Sequence, residues 1–192
     1  ASILLGNGTR EISKLVNIAQ LSTCTTVSPK SGQDGSTPGS SSKGVLLPGS
    51  NNQYAALDIE NSRLISLDTS AGGLRSSSKE QWQWLNRQLQ NHGKKNIFIF
   101  MNKNPDEFTD SEEGQLFKKV LADCSANTSA KIWVFCTGKQ KDNASEMDFG
   151  VKYISFSSLG ASGMTPENLE EAQYILVTVQ GGQVTYEIKT VV

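Results

Sequence analysis

Histidine occurs once in the 192 residues, at His92. A single imidazole excludes histidine-rich metal sites before any motif is considered. Cysteine is scarce too: Cys24, Cys124 and Cys136 are an odd set without CxxC spacing. That pattern argues against a disulfide framework or a zinc site. Cys124 and Cys136 stand among apolar residues and are expected as packed thiols, and the sequence does not settle whether any of the three pair. Excess charge is missing as well. Eighteen Lys and Arg face nineteen Asp and Glu, a net charge of −1, which speaks against electrostatic binding to nucleic acid or a membrane surface. No apolar run approaches the roughly 18–20 residues of a membrane span. The opening "ASILLG" has neither a basic region nor a long apolar core, so no signal peptide is read in it. Export would require a signal that is removed or lies upstream.

What is present is a polar, Gly- and Ser-rich globular chain long enough for one domain with a real core, or at most two small ones. Residues 1–5 suggest a short strand. "REISKLVNIAQL" then places Ile12, Leu15, Val16 and Ala19 on one helical face. Residues 1–27 are therefore expected as an N-terminal, mainly helical segment. Residues 28–44 follow as a loop or linker in which Ser, Gly and Pro make up 12 of 17 positions. Residues 45–192 are expected to form the main α/β domain.

Within that domain "GVLLPG" reads as a short strand, and "QYAALDI" and "RLISLDT" as a hairpin around Glu60-Asn61-Ser62. "SKEQWQWLNRQLQNHG" predicts a helix with capping-box spacing at Ser77 and Glu80 and a C-terminal cap at Gly93. Trp82, Leu85 and Leu89 share its inner face, with Trp84 beside them. "NIFIFMN" and "KIWVFCTG" are continuously apolar, as strands buried on both faces are. The helix "SEEGQLFKKVLADCS" lies between them, capped by Thr109 or Asp110. "VKYISFSS" is a further strand, "TPENLEEAQ" a short helical turn begun by Pro166, and "YILVTV" and "QVTYEIKTVV" a hairpin around Gly181-Gly182. The fold class expected is α/β, a layered sandwich of mixed sheets with flanking helices.

In such folds ligands bind beyond the C-terminal ends of buried strands. Two ends stand out, "MNKNP" at 101–105 and "TGKQK" at 137–141. The order of elements around them, together with "EQWQWL", resembles the C-terminal half of calcineurin-like metallophosphoesterases over about residues 44–192. In that family the helix carries a Gln, a Trp-Leu pair and a later Leu, and Gln81, Trp84, Leu85 and Leu89 correspond. The resemblance implies metal-binding histidines at the next two strand ends, the first followed by Pro and the others within Gly-His-x-His. Here Asn102 stands at the first position, with Pro105 as the proline. Gly138 matches the glycine, and Lys139 and Lys141 replace both later histidines. The family motifs Asp-x-His, Gly-Asp-x-x-Asp and Gly-Asn-His-Asp/Glu do not occur, although "LPGSNNQ" offers Asn51 and Asn52 near the last.

A di-metal site holds two cations about 3.5–4 Å apart with imidazoles and carboxylates. An ammonium offers no lone pair and repels the metal. No catalytic residue, metal or cofactor is therefore expected. Asn102, Lys103, Lys139 and Lys141 are expected either as a vestigial site with affinity for an anionic or phosphate-bearing ligand, or as solvated loop residues.

Other motifs carry less. His92 suits the last turn of a helix, where the macrodipole favours it. "SSSK" at 40–43 and 76–79 matches Ser-x-x-Lys only through serine runs. Asp142, Glu146 and Asp148 lack the spacing of a calcium loop and read as a solvated acidic loop. Asn7, Asn127 and Asn143 open glycosylation sequons that matter only in a eukaryotic secretory protein. Trp82, Trp84 and Trp133 fit the core better than a sugar platform. The reading reached is a degenerate, non-catalytic phosphoesterase-like module, a structural or binding part of a larger, exported or cell-surface protein beside neighbouring domains. One alternative is a metal-dependent phosphoesterase whose N-terminal metal-binding half lies upstream. The other is a cell-wall or carbohydrate binding module.

Overall fold

The computed structural model describes residues 2–5, 24–27, 54–90, 93–138, 144–157, 173–180 and 182–190. The helix expected over "REISKLVNIAQL", the 28–44 linker, the strand "GVLLPG" and the turn at Pro166 lie outside the described residues. So do His92, Lys139, Lys141 and Asp142. No described helix is long and apolar enough to cross a membrane.

The chain is mixed α/β and divides into two compact units. The first contains a four-stranded sheet of β1 (Ser2–Leu5), β2 (Cys24–Val27), β9 (Gln173–Gln180) and β10 (Gln183–Thr190), in the order β10-β9-β1-β2. The terminal hairpin forms as expected, Gln180 pairing with Gln183. Alternate residues Ile175 and Val177 are buried along β9, the period-2 pattern of a strand with one apolar face. β9 also pairs antiparallel with β1, whose other edge runs parallel to β2.

The second unit is a six-stranded mixed sheet of order β3-β4-β5-β6-β8-β7. Its strands are β3 (Ala55–Ile59), β4 (Ser62–Ser66), β5 (Asn96–Met101), β6 (Lys131–Gly138), β7 (Ala144–Asp148) and β8 (Val151–Ser157). β4, β5, β6 and β8 are parallel, and the edge strands β3 and β7 are antiparallel to their neighbours. The first hairpin is tighter than its sequence suggests. Ile59 pairs directly with Ser62, so the turn is Glu60-Asn61 alone, with Glu60 at φ +48°.

Two crossovers carry the helices. α1 (Leu74–Ser77) and α2 (Gln81–Leu89) join β4 to β5, and α3 (Ser111–Thr128) joins β5 to β6. Right-handed parallel crossovers made in one direction along a sheet put their helices on the same face. On that face Trp82, Leu85, Leu89, Phe117 and Leu121 pack with Ile65, Ile97, Ile99, Ile132 and Val134 in one core. The opposite face carries Leu64, Phe98, Phe100, Phe135 and Ile154, all 2% exposed or less. Phe100 stacks on Phe135 at 5.5 Å between ring centroids. Apolar residues on both faces are what make "NIFIF" and "KIWVF" continuous runs.

The helix ends differ from expectation at both ends of α2. Asp110 caps α3, its Oδ1 accepting from the Glu112 and Glu113 amides. The Ser77–Glu80 capping box does not form: Glu80 holds the N-cap of α2 without a side-chain bond. Ser77 belongs to α1 instead, and its hydroxyl accepts from the Ala71 amide at 3.3 Å. The C-cap of α2 is Gln90 rather than Gly93, which sits at φ +60° ahead of β5.

Gly114 stands inside α3, where glycine ordinarily weakens a helix. A Cβ there would run into the Pro105 carbonyl oxygen. Gly114→Ala is therefore expected to destabilise by about 1–3 kcal/mol through overpacking, the reverse of the ~1 kcal/mol gain of an open helix position. Urea unfolding of the two proteins measures the sign directly.

Candidate functional site

The C-terminal ends of β4, β5, β6 and β8 lie side by side, which brings the chain beyond Ser66 next to "MNKNP". Beyond β4 the backbone keeps one more sheet bond, Leu67 N–H to the Phe100 carbonyl at 2.8 Å. At Asp68 the sheet partner is replaced by a side chain. Gln81, at the start of α2, accepts from the Asp68 amide at 2.8 Å through Oε1. Its Nε2 donates to the carbonyls of Asp68 at 2.9 Å and Leu74 at 3.2 Å. Gln81 is wholly buried, and this amide closes the β4 exit as another strand would.

Thr69 makes the next contact, with the end of β5. Its amide donates to Asn102 Oδ1 at 3.2 Å, and its hydroxyl accepts from the Lys103 amide at 2.9 Å. The Thr69 carbonyl accepts from Gly72, and the Gly72 carbonyl takes the Thr109 amide at 2.8 Å. Gly72 lies at φ +110°, and a Cβ there would strike the Thr109 hydroxyl, so both conformation and space require glycine.

Asn104 completes the loop. It accepts from Asp106 at the start of the short 3-10 turn Pro105–Glu107, and its Nδ2 donates to Ser155 Oγ on β8 at 2.8 Å. The two asparagine side chains of "NKNP", and the backbone amide of Lys103, tie one strand end to another. Asn102 and Lys103 thus meet at Thr69, while Lys139 and Lys141 lie outside the described residues.

Two carboxylates behind this face are buried. Glu113 accepts from Trp82 Nε1 at 2.5 Å and from the Arg75 amide at 2.9 Å, joining α1, α2 and α3. Asp68 is 1% exposed. Its Oδ1 takes both the Ser70 amide and hydroxyl, at 2.9 and 2.6 Å, whereas Oδ2 is buried with no hydrogen-bond partner among the described residues. An acceptor left so is costly, on the order of 1–3 kcal/mol. Sequence reasoning does not single out Asp68, Thr69 or Ser155. The one available signal is a Thr-capped "LDT" directly after an alternating strand.

Among the described residues no three His, Cys, Asp or Glu side chains come together as a metal-holding group. Glu146 and Asp148, expected in an acidic loop, lie instead on the strand β7. Trp82 faces the helical core, while Trp133 alternates to the opposite face of the sheet beneath Lys152. The tryptophans form no shared platform. No family model matches the chain, and no curated protein matches it.

Cys136 contacts the same cluster, its sulfur 3.3 Å from Ser155 Oγ. Cys124 and Cys136 are both free thiols. Burial pushes the Cys136 thiol from 9.0 up to about 12, although the Ser155 hydrogen bond works the other way.

Two outcomes follow for this cluster. Gln81→Ala strands the buried amide and carbonyl of Asp68, while the Leu74 carbonyl keeps the Ser78 amide, and is expected to cost about 2–4 kcal/mol in urea unfolding. For Cys136, the unfolded thiol ionises from about pH 9 while the folded one keeps its proton towards pH 12. The unfolded state then binds fewer protons, so this group's contribution is complete below pH 9 and is lost as pH rises, at up to about 1.4 kcal/mol per unit. The stability difference between the protein and Cys136→Ala should therefore shrink from pH 8 to pH 10.5; a constant difference would contradict the buried, protonated thiol.

Proposed function

We propose that the chain is a non-catalytic, phosphoesterase-like module that serves as a structural or binding part of a larger protein. One observation carries this reading. Asn102, at the strand end where the family resemblance calls for a metal-binding histidine, spends its amide oxygen on the Thr69 amide. Asn102 thus serves as a crosslink between the chain leaving β4 and the end of β5.

The other positions agree with it. Lys139 and Lys141 stand where two further imidazoles are implied, and an ammonium donates hydrogen bonds but no lone pair. The residues present do not fit a pair of divalent metals, and no reaction step is drawn through one. What remains at these strand ends is a polar sequence, Asn102 and Lys103 with Lys139 and Lys141, that we read as offered to an anionic or phosphate-bearing ligand. Binding there needs no metal.

Elemental analysis of the purified chain after incubation with Mn, Fe and Zn tests the reading. It is expected to retain no stoichiometric metal and to leave a chromogenic phosphodiester intact in its presence. Two tightly held ions per chain, or metal-dependent turnover, would overturn it.

A further inference from the structure

The six-stranded sheet has two edges, and the molecule treats them differently. On β3 the only carboxylate, Asp58, is neutralised within the chain. Arg63 holds both its oxygens at 2.7 and 2.8 Å, and Lys94 lies 3.4 Å away. Arg63 and Lys94 hold the Asp58 carboxyl below its ordinary range. On β7, Glu146 and Asp148 enter no ion pair with any described residue. Four of the five β7 residues are exposed to solvent. Two large apolar side chains accompany the acids, Met147 at 65% exposure and Phe149 at 84%.

Phe149 is also strained. The β7–β8 turn consists of Phe149 and Gly150, both at positive φ, +43° and +81°. Such a two-residue turn favours Asn-Gly or Gly-Gly, and an aromatic at its first position costs stability. A phenylalanine that is both strained and 84% exposed gains nothing for the fold from its ring.

We propose that β7 is a docking edge for an extended strand of a partner protein, one that alternates basic with apolar residues. Asp148 and Val151 close the hairpin. In a two-residue hairpin that pair exchanges both hydrogen bonds, so alternation turns the backbone amides of Ser145 and Met147 outward. These amides and their carbonyls are the groups an added strand pairs with. Its basic side chains meet Glu146 and Asp148 on one face of the sheet. Its apolar ones cover Met147 on the other, with Phe149 closing the end. Charge also disfavours a second copy of this chain centred on Met147. Two β7 strands paired antiparallel about Met147 would set Glu146 against Asp148 twice, and like charges directly opposite repel.

The test uses two capped nine-residue peptides, one alternating Lys with Val and one Glu with Val, against the full chain. Anisotropy is expected to show the Lys-Val peptide binding at least about tenfold more tightly than its acidic counterpart. Hydrogen exchange should slow at Ser145 and Met147 in the complex. Met147→Pro removes an outward amide that the sheet does not use, and should abolish binding with little change in Tm. Phe149→Asn should raise Tm, because it installs Asn-Gly, yet weaken binding several-fold. Glu146→Lys with Asp148→Lys should transfer the preference to the Glu-Val peptide, which keeps the test valid even if the proline variant fails to fold. Equal affinity for the two peptides, unaltered exchange at both amides, or no reversal in the double lysine variant would each overturn the proposal.

Discussion

Everything at the strand-end face hangs on the Gln81 side chain. A parallel strand that leaves its sheet before its neighbours must satisfy its remaining backbone groups somewhere, since a buried unpaired amide or carbonyl is not tolerated. β4 ends at Ser66, one residue short of Leu67, which still bonds β5. No described strand lies beside Asp68. The primary amide of Gln81 offers one acceptor and two donors and spends all three on the Asp68 and Leu74 backbones. That single clamp fixes the direction in which Thr69 leaves the sheet. Thr69 then meets Asn102 and Lys103, and the glycines behind it allow α3 to approach.

The consequence for function is a matter of allocation. In a layered α/β fold the residues just past the strands are the ones available to a ligand. Here most of those described are already bonded to each other: Thr69 to Asn102, Lys103 to Thr69, Asn104 to Ser155. Such a network rigidifies a face and specifies one arrangement of its loops, while leaving few lone pairs for a cation. The proposed non-catalytic role follows from this use of side chains. The docking edge at β7 stands on separate residues and does not depend on it.

The sequence made the centre of the sheet legible and its margins obscure, for physical reasons. β5 and β6 are apolar on both faces, so their runs could be read directly, and the cap of α3 could be narrowed to Thr109 or Asp110, of which Asp110 serves. β7 could not, because "ASEMD" is exposed on both faces and presents no apolar period at all. β2 pairs with β1 across a long stretch of chain, and the pairing leaves no local trace. The Ser77–Glu80 spacing was a true motif in the wrong place, since α1 had already taken Ser77 as its last residue. At the candidate site Asn102 and Lys103 were visible as polar residues after a buried strand. Their partner Thr69, 33 residues from Asn102, was not, because hydrogen bonds between separate strand ends carry no sequence period. Gln81 was visible in the helix pattern, but nothing in its spacing announced that it closes β4.

The most direct measure of the clasp is native-state hydrogen exchange at the amides of Asp68, Thr69 and Lys103. Each donates to a side chain rather than to a sheet or helix partner. If the strand ends are locked together as described, all three exchange only through global unfolding, with the protection of the β5 amides. Exchange at the rate of an open loop would mean that this face is free, and that Asn102 remains available to a ligand.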